Sequence, residues 1–267
     1  MMKLNHQRIV VKVGTSTLTH ENGRTNLQSI DRLARVLSAV HNRGYEVILV
    51  SSGAIAVGAN KLRMPERPKE HRYKQAAAAV GQCEVMFLYD RFFGDYDQTV
   101  AQILLNAEDI REEQKKENLS NTFNSLLEMG VIPIVNENDS VSYKEIESEE
   151  RLFGDNDMLS AVVAVLTGAE KLVIFSDIDG FYDRDPRLYA NATLLSQIDA
   201  ITEETYALAG GAGSRRGTGG MRTKLQAASL VTAQGIDAVV TNGQRPEALY
   251  DIIEGKSCGT LFAGRRQ

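Results

Sequence analysis

The stretch Arg8-Ile-Val-Val-Lys-Val13, running into Gly14-Thr15-Ser16, decides the fold of this chain. In an extended strand Val10 and Lys12 share one face, while Ile9, Val11 and Val13 share the other. Both faces are apolar except for Lys12. Such a strand belongs inside a sheet covered on both sides, as parallel sheets are. Lys12 falls near its carboxyl end, and ligands in open α/β sheets bind at that end.

Outward from this strand, helices and strands alternate. Asn26–Arg43 reads as a helix, because Ile30, Leu33, Leu37 and Val40 recur at helical spacing and Gly44 ends it. Tyr45–Val50 is a strand, and Ser51-Ser-Gly-Ala-Ile-Ala-Val-Gly58 opens a helix. After Pro65 and Pro68 a long helix runs from about Glu70 to Phe93. Thr99–Leu105 is a strand, Glu113–Met129 a helix and Val131–Val135 a short strand. Asn156–Leu166 is a helix and Lys171–Ser176 a strand. A loop-rich section from Asp177 to Gly217 follows, with a hairpin near Ala192–Ile198. Gly219–Gln234 is a helix, Ile236–Thr241 a strand, Pro246–Glu254 a helix and Cys258–Ala263 a last strand. Strands separated by helices predict an α/β fold with a mainly parallel central sheet. No repeat or linker divides residues 1–267, so one domain is expected. The charged stretch Tyr143–Arg151 reads as a loop.

Bulk properties narrow the function. The 267 residues are 43% hydrophobic and 24% charged, an ordinary globular composition. Thirty Lys and Arg against 35 Asp and Glu give a net charge of −5, which is no footprint for nucleic acid or an anionic membrane. Cys83 and Cys258 match no metal or redox spacing, and two thiols in a chain this size fit a reducing, cytoplasmic setting. The N-terminus lacks the apolar core of a secretory signal. Met158–Ala169 is too short to span a membrane. His6, His20, His41 and His71 share no spacing for metal or triad work and read as surface residues.

A second lysine, Lys224, closes Gly217-Thr-Gly-Gly-Met-Arg-Thr-Lys224. Met221, Leu225 and Ala228 mark the inward stripe of its helix; Lys224 lies beside that stripe and Arg222 points away. An ammonium drawn into an apolar setting is costly unless it meets an anion. Glycines let backbone N–H groups approach phosphate closely, and helix N-termini favour anions. Two lysines beside glycine turns point to one large anion, such as a nucleoside triphosphate, held from both sides. Each also has a plainer reading, as a strand-end lysine that reaches water or a stem covering apolar surface. The order of residues is neither a Walker A loop nor a Rossmann fingerprint.

Three further clusters sit at strand ends or helix starts. Ser51-Ser-Gly-Ala54 would let a carboxylate or phosphate reach a helix start, or is a plain N-cap. Asn136-Glu-Asn-Asp139 follows a strand directly. Gly154-Asp-Asn-Asp157 opens a helix whose inward stripe is Leu159, Val162, Val163 and Leu166. Asp155 as an N-cap leaves Asn156 and the first cluster unexplained. Mixed amides and carboxylates suit a small substrate carrying both an ammonium and a carboxylate, as an amino acid does. Ser176-Asp177 ends another strand at the same edge.

Taken in order, Val11-Lys-Val-Gly-Thr-Ser16, Ser51–Gly58, Val135–Asp139, Gly154–Asp157 and Gly217–Lys224 resemble the amino acid kinase family, and within it the branch acting on glutamate. The resemblance spans nearly the whole chain. It implies a three-layer αβα sandwich and transfer of the ATP γ-phosphoryl group to the side-chain carboxylate of L-glutamate, the first step of proline synthesis. By it, Lys12 and Lys224 hold the phosphates and Asp157 orients the two lysines. Gly14, Ser176, Asp177 and the run Thr218, Gly219, Gly220, Met221, Arg222, Thr223 and Lys224 contact ATP. Ser52, Gly53, Asp139 and Asn156 bind glutamate. Mg²⁺ is held mainly by the nucleotide phosphates. The resemblance further implies a cytoplasmic homo-oligomer. It places the chain with forms lacking the C-terminal PUA domain that many relatives carry. The labile acyl phosphate product makes a glutamyl-phosphate reductase a plausible partner. The alternatives are a kinase of the same fold acting on aspartate, a phosphonate or a nucleoside monophosphate, and a non-catalytic nucleotide or amino-acid sensor.

Overall fold

A computed structural model describes residues 7–141, 156–209 and 220–265. Strand β1 (Arg8–Val13) leads into the short helix α1 (Thr15–Leu18) and then α2 (Leu27–His41). Next come β2 (Glu46–Ser51), α3 (Ala54–Lys61) and the long α4 (His71–Gly94). They are followed by β3 (Val100–Leu105), α5 (Ala107–Arg111), α6 (Glu113–Glu128) and β4 (Ile132–Glu137). Then come α7 (Asn156–Thr167), β5 (Lys171–Ser176), β6 (Gln197–Ile198) and α8 (Glu203–Leu208). The described elements end with α9 (Met221–Thr232), β7 (Asp237–Asn242), α10 (Ala248–Ile253) and β8 (Thr260–Phe262).

The eight strands form one sheet in the order β3-β4-β2-β1-β5-β7-β8-β6. All pairings from β3 to β7 are parallel, so six carboxyl ends share one edge. β1 lies in the middle, as its two apolar faces predict. Val10, Ile48, Leu159, Val163, Leu225 and Ala228 are buried on the side covered by α6, α7 and α9. Ile9, Val11, Ile30, Leu37, Tyr89 and Leu249 are buried on the other, beneath α2, α4 and α10. The architecture is a three-layer αβα sandwich.

The register sets the site. Lys12 pairs with Val50 on one side and Ile174 on the other, and Val13 pairs with Ser51. Ser51 is thus the last residue of β2, not the first turn of a helix as the sequence suggested. Helix α3 begins only at Ala54, after Gly53 takes a left-handed turn (φ 95°) that other residues adopt with strain. Helices α3 and α4 touch backbone to backbone: a Cβ at Gly58 would lie 1.8 Å from Ala77 O, and one at Gly81 1.8 Å from Ala54 O. This contact fixes α4 beside the Ser51–Gly53 turn.

The outer edge differs from the sequence reading. Ala192–Ile198 does not form a hairpin of its own. Leu194 bridges antiparallel to Tyr182, and β6 pairs parallel with β8. Buried Thr260 explains this, since its hydroxyl takes the Phe181 N–H at 2.7 Å and donates to Leu195 O at 2.5 Å. The section read as loops contains α8, capped by Thr202. The stretches Tyr143–Arg151 and Gly210–Gly219 lie outside the described residues. Cys83 and Cys258 are free thiols. His41 and His71 are half-buried rather than fully at the surface, with His41 Nδ1 3.1 Å from Tyr45 O; His6 is outside the described residues. Among the described residues, no helix is long and apolar enough to cross a membrane.

Candidate active site

Lys12, Asp157 and Lys224 come together at the carboxyl edge of the sheet. β1 brings the first, the start of α7 the second and the first turns of α9 the third. Lys12 Nζ lies 2.5 Å from Asp157 Oδ1, and Lys224 Nζ lies 3.0 Å from Asp157 Oδ2. All are buried, Asp157 completely and the lysines to within 7% of full burial. Burial alone would push the Asp157 carboxyl up. The fields of Lys12 and Lys224 and their hydrogen bonds outweigh it and hold that carboxyl well below the usual range. Thr223 completes the grouping, its Oγ1 2.9 Å from Asp157 Oδ2 and 2.8 Å from Gly220 O. The sequence reading gave Thr223 to ATP; its hydroxyl is engaged with Asp157.

Two positive charges face one negative charge among these residues. One positive charge is therefore left over in a setting where uncompensated charge is expensive. An arriving anion is the natural complement. Gly14 leaves room for it, because a side chain there would begin 3.8 Å from Lys12 Nζ and cover the ammonium. Helix α9 follows the N-cap residue Gly220, which offers no side-chain cap, so its first N–H groups have no intrahelical partner.

Beside the charged cluster lies an uncharged one. Asn156 Nδ2 is 2.9 Å from Ser51 O, 2.8 Å from Ser52 Oγ and 2.9 Å from Asn136 Oδ1. Asn136 Nδ2 in turn donates to Gln82 Oε1 at 2.9 Å. Ser51 Oγ is 2.9 Å from Tyr89 Oη, whose titration burial pushes up and the Ser51 bond moderates. Asp139 stands on the turn after β4, half-buried. Burial raises its carboxyl above the ordinary 3.8, and the field of Arg67 partly offsets this.

The remaining candidates fall in different places. Ser176 is buried at the end of β5, its hydroxyl 3.2 Å from Asp177 Oδ1. Asp177 is exposed and pairs with Arg187 at 2.7 Å. Met221 is half-buried against the core, and Arg222 is exposed, away from the charged cluster. Thr218 and Gly219 lie outside the described residues, as do Gly154 and Asp155. Gln82 and Tyr89 were not anticipated. Gln82 sits in the Ala- and Gly-rich middle of α4 and Tyr89 in its aromatic C-terminal third, and nothing in the local pattern marks them as partners of residues tens of positions away.

A buried lysine–carboxylate–lysine cluster at the carboxyl edge of a parallel αβα sheet defines a phosphoryl-transfer class of protein. Residues 7–242 match the model of the amino acid kinase family, and the chain belongs to that family. It is 54% identical over 260 residues to the glutamate 5-kinase of Clostridium perfringens, covering 97% of this chain and 96% of that protein. It is 51% identical over 263 residues to the glutamate 5-kinase of Listeria monocytogenes, covering 98% and 95%. Among solved structures, UMP kinase from Bacillus anthracis superposes with a TM-score of 0.65 at 13% identity, over 98% of this chain and 97% of that one. Carbamate kinase from Giardia lamblia superposes with a TM-score of 0.68 at 16% identity, over 97% and 99%. At such identities these two establish the fold alone.

Proposed function

We propose that this protein transfers the γ-phosphoryl group of ATP to the side-chain carboxylate of L-glutamate, giving L-glutamyl 5-phosphate for proline synthesis. The observation that carries the proposal is the buried, net-positive Lys12–Asp157–Lys224 cluster beside the amide cluster of Asn136 and Asn156. Membership of the kinase family and identity of about half to the named relatives support the acceptor assigned here.

The nucleophile is a carboxylate. Its reference pKa is about 4.3, so it is ionised at neutral pH and needs no general base. One of its oxygens bonds to the γ-phosphorus as the bond to the β-phosphate oxygen breaks, and ADP leaves with that electron pair. No proton need move. The obstacle is positioning and the repulsion between two anions. Lys12 and Lys224 approach from opposite sides and stabilise charge as it spreads in transfer. Asp157 keeps two mutually repelling ammonium groups together. Mg²⁺, held mainly by the phosphates, would supply further charge neutralisation. Gly14, Ser176 and the first turn of α9 form the nucleotide side, with Asp177 at its rim. Ser52, Gly53, Asp139 and Asn156 form the acceptor side, where the Asp139 carboxylate would take the substrate ammonium. The product is labile, so a reductase consuming it is the expected partner.

Hydroxamate formation in the presence of hydroxylamine tests the assignment. The expected result is product that requires both ATP and glutamate and is not formed with aspartate. No hydroxamate, or equal turnover of another acceptor, would reject it.

A further inference from the structure

The amide cluster has a direction, and α4 holds one end of it. Ser51 O is a backbone carbonyl and can only accept. The Asn156 amide must therefore face it with Nδ2. That choice propagates. With Asn156 Nδ2 also against Asn136, Asn136 must turn Oδ1 toward it and Nδ2 away. Gln82 then has to offer Oε1 to Asn136 Nδ2, as it does at 2.9 Å. Asn136 is 4% exposed, so without Gln82 its Nδ2 would be buried with no acceptor. At the other end Asn156 Oδ1 accepts from no described residue and stays available to a ligand. The same face of α4 is used twice: Tyr89, two turns beyond Gln82, is hydrogen-bonded to Ser51.

We infer that Gln82 is a positioning residue for the amino-acid substrate: through Asn136 it helps hold the Asn156 amide, whose direction Ser51 O sets, so that Oδ1, an acceptor, meets the substrate ammonium. This rests on the glutamate reading above. Gln82 touches neither the phosphates nor the reacting carboxylate. Its loss leaves Asn136 Nδ2 without an acceptor and loosens the Asn136 Oδ1 contact that, together with Ser51 O, holds the Asn156 amide in place for the ammonium. Gln82 Nε2 has no described partner, so an oxygen there costs no bond, and Gln82→Glu keeps the acceptor that Asn136 needs.

Steady-state kinetics of the full chain, with melting temperatures, test this in Gln82→Met and Gln82→Glu. Gln82→Met keeps the length of the side chain and removes the amide acceptor. Its KM for glutamate should rise about tenfold, while kcat and the KM for ATP stay within about threefold. Gln82→Glu should stay within about twofold of the wild type in every constant. Inhibition by glutarate, which lacks the ammonium, should be equal in all three proteins. An unchanged glutamate KM in Gln82→Met overturns the inference. So does a Gln82→Glu variant as impaired as Gln82→Met, or a parallel loss of glutarate binding, since a structural role would produce either. A wild type with no glutamate-dependent turnover overturns the glutamate reading, and this inference with it. Wild-type turnover with an unmoved KM in Gln82→Met overturns the inference alone.

Discussion

Two neighbouring regions divide the site, and they are built from opposite materials. The clamp of Lys12, Asp157 and Lys224 is fully charged and buried. The proposed acceptor side, Ser52, Asn136 and Asn156, is a set of neutral amides and a hydroxyl, with half-buried Asp139 near by. Consecutive residues of α7 serve both. Side chains one residue apart on a helix point about 100° apart. Asn156 accordingly turns to β2 and β4, and Asp157 turns to β1 and α9. On the proposed function, charge stands where charge must be neutralised during transfer. By the same proposal, neutral groups, whose donors and acceptors can be fixed by their neighbours, stand where one small molecule must be told from another.

This division can be broken experimentally. Lys12→Ala should lower kcat by about 10²–10³ with a small change in the KM for glutamate, because its contribution is greatest in the transition state. A variant that changes only KM would place Lys12 on the binding side. Asp157→Asn leaves two buried ammonium groups facing each other and should destabilise the ligand-free protein by about 3–5 kcal/mol. Thermal melts should show part of that loss recovered on adding ATP, whose phosphates would replace the missing charge. Absence of ATP rescue would argue against an anion between the lysines. Asp139→Ala should raise the KM for glutamate about tenfold and leave kcat and the KM for ATP nearly unchanged. An unchanged KM would remove it from the acceptor side.

Acid should separate the regions more gently. The folded-state pKa of Asp157 lies below its ordinary 3.8, so its stabilisation is present above 3.8 and is lost as pH falls below it. Asp139 has the opposite sign: raised above 3.8, its contribution to stability is present below 3.8 and is lost as pH rises through the raised value. On acidification Asp139 therefore protonates first, with the clamp still intact. The KM for glutamate should climb at a pH above 3.8, before the protein unfolds, and this climb should be weaker in Asp139→Asn. Since the substrate carboxylate also titrates near 4.3, the difference between the two proteins is the quantity to measure.

Much of the fold was legible in the sequence. Lys12 near the end of a two-faced apolar strand, and Lys224 beside the inward stripe of its helix, both stand where periodicity places them. The span Lys171–Ser176 is the same in both readings. What periodicity lacks is register and long-range pairing. A strand apolar on both faces carries no mark of its neighbours, so the position of Ser51 opposite Val13 was not readable. The short helices α1, α5 and α8 are too brief to show a repeat. The parallel pairing of β6 with β8 depends on Thr260, far along the chain. Within the site, residue types were legible and their partners were not. Thr223 was assigned to ATP by the resemblance alone, and nothing in the sequence showed that its hydroxyl meets Asp157. Gln82 reaches Asn136 across 54 residues, and a hydrogen bond at that separation leaves no local signature.

Steady-state kinetics of Lys224→Ala, with ATP and glutamate each varied to saturation, test the central claim most directly. If the clamp neutralises charge in transfer while the amide cluster holds the acceptor, kcat falls by at least about a hundredfold and the KM for glutamate moves by less than about threefold. A near-normal kcat, or a loss confined to the KM for glutamate, would contradict it.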